Sequence, residues 1–243
     1  MQDLSTRYAL FTRLPLLQGI SSQDLLGWEE ALKLDIDEFS ASRYPLIRQG
    51  ENCSQLLWLA EGELEREHSS ADGNYICRST LKGPALIEVD RLFGLNPTYE
   101  YTYRAKTDIK MLSIRKTLLS SHLMKSEVFR LNLLNTLSAI SQKRAIALRP
   151  CQLKTSEERL RHFLSTLFPD CEGEVELYIQ MKALALYISI SRLNVSRILN
   201  RWNQEGSIRL GREHFTILDI KALINKHDSP TSLIYHDESI GAS

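Results

Sequence analysis

The chain has 243 residues, 43% hydrophobic and 25% charged, with 30 basic side chains against 30 acidic ones. That is enough for two modest domains with a core each, and the zero net charge excludes a globally basic nucleic-acid binder, though not a local patch. No apolar run approaches the roughly 18 residues of a membrane span, and Met1 to Thr12 is polar and amphipathic, without the apolar centre of a signal peptide.

Residues 1–31 read as helical, with Ser21-Ser22-Gln23-Asp24 as a helix start ahead of Leu25, Leu26 and Trp28. From about Lys33 to Ile114 short strand-like runs alternate with turns. Leu46-Ile47-Arg48 leads into Gln49-Gly50, Leu56-Leu57-Trp58-Leu59-Ala60 into Glu61-Gly62, and Asp72-Gly73-Asn74 and Lys82-Gly83-Pro84 follow. Strands at this spacing predict an antiparallel roll or barrel. Glu127 to Leu148 reads as one long helix. Leu133, Leu137, Ile140, Arg144 and Ala147 form a 4-3-4-3 seam, and Leu131, Leu134, Ala145 and Leu148 widen the apolar surface beyond it. A helix apolar on two sides is covered on two sides. The roll supplies one cover, and a second copy of the helix is the simplest other, with the 133–147 seam taken as the dimer seam.

Arg149-Pro150 reads as a helix stop and hinge. Thr155-Ser156-Glu157-Glu158 fits a capping box, and Leu160, Phe163, Leu164, Leu167 and Phe168 give the next helix a core face. Glu174 to Ile179 alternates as a strand, and 227–243 is an appendage without periodicity.

Met181 to Ile188, a tight turn at Ser189-Ile190, a helix from Arg192 and a strand turn after Gly206 make a helix-turn-helix with a wing. On the second helix Val195, Ile198, Leu199 and Trp202 form one stripe. Leu193, Arg197 and Asn200 point nearly opposite, flanked by Ser196 and Arg201. Between Ser189 and Arg212 the basic residues are Arg192, Arg197, Arg201, Arg209 and Arg212, and the one acidic residue is Glu205. Base readout is therefore assigned to Arg192, Leu193, Asn194, Ser196, Arg197 and Asn200. Arg197 suits guanine, and Asn194 or Asn200 suits adenine. Phosphate contacts are assigned to Gln180, Ser191, Arg201, Arg209 and Arg212. The competing reading of these charges is an ordinary solvated helix face.

Three segments carry a family resemblance: Ile190-Ser191-Arg192 through Val195-Ser196-Arg197-Ile198-Leu199, then Glu205-Gly206-Ser207-Ile208-Arg209, then Glu157-Glu158-Arg159-Leu160. Through them, and through the glycine turns Ile47-Arg48-Gln49-Gly50-Glu51 and Leu59-Ala60-Glu61-Gly62-Glu63, the chain resembles the Crp/Fnr family of bacterial transcription regulators. The resemblance spans about Leu14 to Leu223. It implies an α+β architecture: a cyclic-nucleotide-binding-type β-roll (1–115), a long dimerisation helix (116–150), a winged helix-turn-helix (151–226) and a tail (227–243). It also implies double-stranded DNA, a second copy of the chain and RNA polymerase as partners.

The family's phosphate cassette does not match. A Gly-Glu pair and an Arg-Ser or Arg-Thr pair are replaced by Glu88-Val89 and Tyr99-Glu100, which offer no cation and one anion to a phosphate. Sliding the frame by one residue would return Glu88 to the ribose position without restoring the cation. No response to cyclic AMP is expected, and Leu193, standing where some members place an acidic base reader, implies a different operator. The four cysteines, Cys53, Cys77, Cys151 and Cys171, show no Cys-x-x-Cys spacing, so no metal site or disulfide framework is indicated, and a reducing cytoplasm is the expected home. The expected reading is a non-enzymatic, homodimeric regulator with no cofactor, no catalytic residue and an unidentified effector. Two alternatives stay open. One is a small-molecule, redox or haem sensor, using Cys53 with Cys77, or His68 or His122. The other is a ligand-binding protein or interaction module unrelated to DNA.

Overall fold

A computed structural model describes residues 13–21, 23–25, 27–28, 36–147, 155–169 and 171–226. The hinge at Arg149-Pro150, Cys151, Met1 to Thr12 and the tail 227–243 lie outside the described residues. The architecture is α+β, a roll followed by a long helix and a winged helix-turn-helix head.

The roll uses β1 (Ile36–Phe39), β2 (Gln55–Glu61), β3 (Glu63–Ser69), β4 (Tyr75–Lys82), β5 (Ala85–Ile87), β6 (Thr102–Ala105) and β7 (Ile109–Arg115). One sheet runs β1-β7-β2-β5, and β6-β3-β4 form the other side. Leu56 to Ala60 are all buried, so β2 is covered on both faces, as its unbroken apolar run requires. Gly62 joins β2 to β3 at φ 91°, and its Cα hydrogen faces the Asp108 carbonyl, leaving no room for a side chain. The N-terminal stretch contributes a 3-10 turn at Pro15–Leu17, whose Leu16 and Leu17 enter the same core, and helical turns at 23–25 and 27–28.

Helix α1 (Lys116–Ser121) leads to α2 (Glu127–Ala147), the long helix expected from the sequence. Its two sides fall the other way round from the expected seam. Leu133 is buried in the roll core, and Leu137 and Ile140 pack against it. Arg144 reaches Asp90 at 2.6 Å, inside the roll's 88–100 segment. Leu131, Leu134, Ser138, Ser141 and Ala145, at 3-4-3-4 spacing, are the exposed face. The bulkier seam is the one a concave roll can hold, and a partly open carboxylate draws the arginine inward.

The head contains α3 (Ser156–Leu167), β8 (Val175–Ile179), α4 (Met181–Tyr187), α5 (Arg192–Gln204), β9 (Ile208–Leu210), β10 (His214–Ile217) and α6 (Ile220–Asn225). The capping box is present: Glu158 N–H donates to Thr155 Oγ1 at 3.1 Å and Thr155 N–H to Glu158 Oε2 at 2.9 Å. The head has its own core around Leu160, Leu164, Leu199 and Trp202. It is not a separate lobe, however. β8 pairs antiparallel with β4, Tyr75 opposite Ile179 through Ser79 opposite Val175, so a single sheet runs β6-β3-β4-β8-β10-β9. Cys77 of the roll is buried in the head's core.

Candidate nucleic-acid interface

Helix α5 begins where Ser191 caps it, its hydroxyl accepting from Asn194 N–H at 3.2 Å. The turn ahead of it needs a left-handed residue, and Ser189 supplies it at φ 53°. Val195, Ile198, Leu199 and Trp202 are buried, while Leu193 is 60% exposed and Arg197 and Asn200 are exposed with it. The division read from the 100° spacing is the one the helix adopts. Arg192 is also exposed, and Asn194 and Ser196 are half-buried beside it. Asn200 Nδ2 lies 3.4 Å from Ser196 Oγ. The outer face of α5 thus presents two guanidinium groups, two amides and an apolar side chain, a donor set that base edges accept.

Beneath the helix lies Glu157. Its Oε1 accepts from Trp202 Nε1 at 2.9 Å and from Arg161 at 2.5 Å, and its Oε2 accepts from Arg201. Arg161 also stacks over the Trp202 ring at 5.0 Å. This carboxylate fixes the axis and rotation of α5 against α3.

The residues assigned to phosphate divide into two groups. Gln180 at the start of α4, Ser191 and Arg212 are exposed, and Gln180 lines a cleft with the cations Lys182 and Arg192, the anion Glu213, and His214. Lys182, one residue into α4, shares that cleft, and a lone lysine on a short helix carries no pattern in a sequence. Arg201 and Arg209 are engaged within the head instead. Arg201 pairs with Glu157 and Arg209 with Glu174 at 2.5 Å, carboxylates contributed by α3 and the β8 approach.

At the cassette positions the roll fills its own site. Glu88 takes a left-handed backbone, φ 40°, at the place where the resemblance sets a glycine. Its carboxylate accepts from Glu100 N–H at 2.5 Å, Tyr101 N–H at 3.0 Å and Tyr103 Oη at 3.1 Å. Burial pushes the Glu88 carboxyl up, and these three donors oppose that rise. Val89 and Tyr99 are buried. Tyr99 and Glu100 bring no cation themselves, but two reach the segment from outside the cassette pairs: Arg91 pairs with Glu100, and Arg144 with Asp90 and, at 4.0 Å, with Glu100. Both guanidinium groups are neutralised by the protein's own carboxylates, which the sequence could not place because their partners are distant.

The sensor alternatives can be placed as well. His68 Nδ1 lies 2.9 Å from the Glu100 carbonyl and its ring packs near Tyr75 and Tyr101. His122 Nδ1 lies 2.7 Å from Ser121 Oγ. Among the described residues no group of three or more His, Cys, Asp or Glu side chains is placed to hold a metal ion. Cys53 and Cys77 do not meet, since one is buried in the roll core and the other in the head core.

The family model described as the Crp-like helix-turn-helix domain matches residues 158–226. No curated protein matches the chain by sequence. The chain is similar to the solved catabolite activator protein of Thermus thermophilus at 19% identity, over 86% of this chain and 96% of that one, with a TM-score of 0.49. It is similar to DNR from Pseudomonas aeruginosa at 22% identity, over 92% and 98%, with a TM-score of 0.44. It is also similar to a putative regulator of the Crp/Fnr family from Eubacterium rectale at 19% identity, over 86% and 96%, with a TM-score of 0.47.

The buried thiols give a direct check on the interior. Burial pushes Cys77 up to about 12 from an ordinary 9.0, and raises Cys53 as well. The thiolate fraction of Cys77 therefore falls on the order of a thousandfold, so iodoacetamide at pH 8 should leave it unlabelled in the folded protein and label it in urea, read by peptide mass spectrometry. Fast labelling of Cys77 without denaturant would contradict the packed interior described above. Reading helix, wing and family match converge on one statement: residues 158–226 match a Crp-like helix-turn-helix domain.

Proposed function

We propose that the protein is a homodimeric, sequence-specific transcription regulator that seats two copies of α5 in successive major grooves of a pseudo-palindromic operator. The observation that carries this reading is the split of α5: Val195, Ile198, Leu199 and Trp202 are spent on the core, and Leu193, Arg197 and Asn200 are left outward with no packing role. Arg192, Leu193, Asn194, Ser196, Arg197 and Asn200 read bases. Gln180, Ser191, Arg212 and Lys182 hold phosphates. Arg201 and Arg209, engaged with carboxylates in the free protein, serve phosphates only by exchanging those partners. The chain acts in the cytoplasm, contacts RNA polymerase and catalyses no reaction. Among the described residues no helix is long and apolar enough to cross a membrane.

Selection from a random DNA pool tests the whole reading, and half-sites about one turn apart, roughly 34–36 Å, are expected. On the selected duplex, Arg197→Ala should cost at least about 1 kcal/mol and relax preference at one base position. Unchanged affinity with an intact fold would refute base readout by this residue.

The dimer reading rests on the open face of α2. Leu131 and Leu134 are 53% and 58% exposed, and the small Ser138, Ser141 and Ala145 continue the same line. A second copy of this helix covers such a stripe at coiled-coil spacing. Leu131→Glu with Leu134→Glu should yield monomers in sedimentation and weaken operator binding by about a hundredfold or more, because the two heads no longer act together. A variant that remains dimeric would move the interface elsewhere.

The roll does not respond to cyclic AMP in this reading, because the Glu88 carboxylate already holds the Glu100 and Tyr101 amides and Arg91 and Arg144 are already paired. Calorimetric titration with cyclic AMP to about 1 mM should show no saturable heat. Tight saturable binding would overturn this part.

A further inference from the structure

Strand β8 has two edges. One bonds to β10 inside the head, and the other continues the sheet onto β4 of the roll. Side chains close the same junction. Arg66 on β3 donates to Cys171 Sγ at 2.7 Å and to Ser79 Oγ at 2.6 Å, and lies over the Tyr101 ring. Tyr75 packs edge-on against Phe163 and Tyr187 of the head. The Tyr187 hydroxyl donates to Asp72 Oδ2 at 2.5 Å, in the turn between β3 and β4. Arg78 reaches across to Tyr178 Oη at 3.2 Å.

In the DNA reading above, this junction lies beside residues assigned to phosphate. Gln180 and Arg212, two of the residues assigned to phosphate, line a crevice of about 310 Å³ whose opposite wall is Gly73, Asn74, Tyr75 and Ile76 of the roll. A duplex backbone tracking from the start of α4 to the wing would meet that wall. It would also approach the Asp72 carboxylate, which the Tyr187 hydroxyl chiefly, with Ser70 and Asn74, holds well below the usual carboxylate range and so keeps charged. The reading face of α5 stays open, and two of its flanking phosphate residues, Gln180 and Arg212, remain exposed but share that crevice with the roll.

We propose that this structure is a self-inhibited state, in which β4 of the roll is a docking edge for β8 of the head and the head leaves that edge to engage DNA. The inference rests on the DNA-binding reading above and adds the means of control. The signal that activates the protein is then whatever competes for the β4 edge or for the face carrying Arg66, Tyr75 and Tyr101. Apparent affinity for DNA is lowered by the docked fraction, as for any binding-competent state that is incompletely populated.

A disulfide across the docked strands tests it. Arg78 and Glu176 stand directly opposite each other, as do Ile76 and Tyr178. Facing positions in an antiparallel pair are close enough for a bridge. Arg78→Cys with Glu176→Cys, in the full-length chain, is oxidised, mapped by peptide mass spectrometry and assayed on the duplex that the wild type selects from a random pool. A cross-link within one chain, binding at least about tenfold weaker when oxidised, and recovery on adding dithiothreitol are expected. If that variant does not fold, Ile76→Cys with Tyr178→Cys asks the same question. Failure to cross-link in a folded variant, a bridge between two chains, or oxidised protein that binds as tightly as reduced would each overturn the proposal. If the wild type selects no duplex, the DNA reading itself fails. The cross-link yield separates that outcome from a failure of docking, because it needs no DNA.

Discussion

A single carboxylate orients the reading helix. Glu157 sits in the first turn of α3, where the free amides and the helix dipole favour an anion. It spends that charge on Trp202, Arg161 and Arg201. Trp202 is fully buried, and its indole N–H would cost stability there without an acceptor. The acceptor comes from a different helix, so the rotation of α5 about its own axis is set by a directional bond and not by apolar packing alone. The outward aim of Leu193, Arg197 and Asn200 follows from that rotation. A side chain that never meets a base in this reading thereby controls which ones do.

The roll shows the same economy. Its cassette region holds Glu88, Asp90 and Glu100 against Arg91, Arg144 and the amides of residues 100 and 101. In a ligand-dependent site some of these groups would wait for a bound molecule. Here they pair with one another, although Arg91 Nε lacks a hydrogen-bond partner, and Arg144 carries the network into α2. The long helix is thus fastened to the 88–100 segment by charge and to the remaining roll by Leu133, Leu137 and Ile140. A change in the 88–100 segment has a direct mechanical route to α2.

The sequence was most readable where structure is local. The stripe on α5, the cap at Ser191, the capping box at Thr155 and the span of α2 each depend on residues within a turn or two, and periodicity reports such contacts faithfully. Reading failed where the partner was remote. Nothing near Arg144 announces Asp90, and nothing near Arg201 or Arg209 announces Glu157 or Glu174. The seam on α2 was misassigned because two apolar lines on one helix look alike until the shape of the roll decides between them. The left-handed backbone at Glu88 was hidden for a related reason: a glutamate accepts that strain only because three donors hold its carboxylate.

The junction of β4 with β8 combines these limits. β8 alternates buried and half-buried positions and β4 does so only from Ile76 to Thr80, a pattern compatible with almost any neighbour. An open sheet edge is a liability, so β4 needs a cover whatever the protein does. Covering it with the head makes stability and inhibition the same contact. Opening the head costs the strand hydrogen bonds and the burial of Tyr75 and Cys77, and whatever stabilises the open form must make up that cost on the exposed edge or on DNA. A roll with a self-filled cassette can therefore still govern the head, because its outer strand, rather than its old phosphate site, is the part that touches the DNA-binding unit.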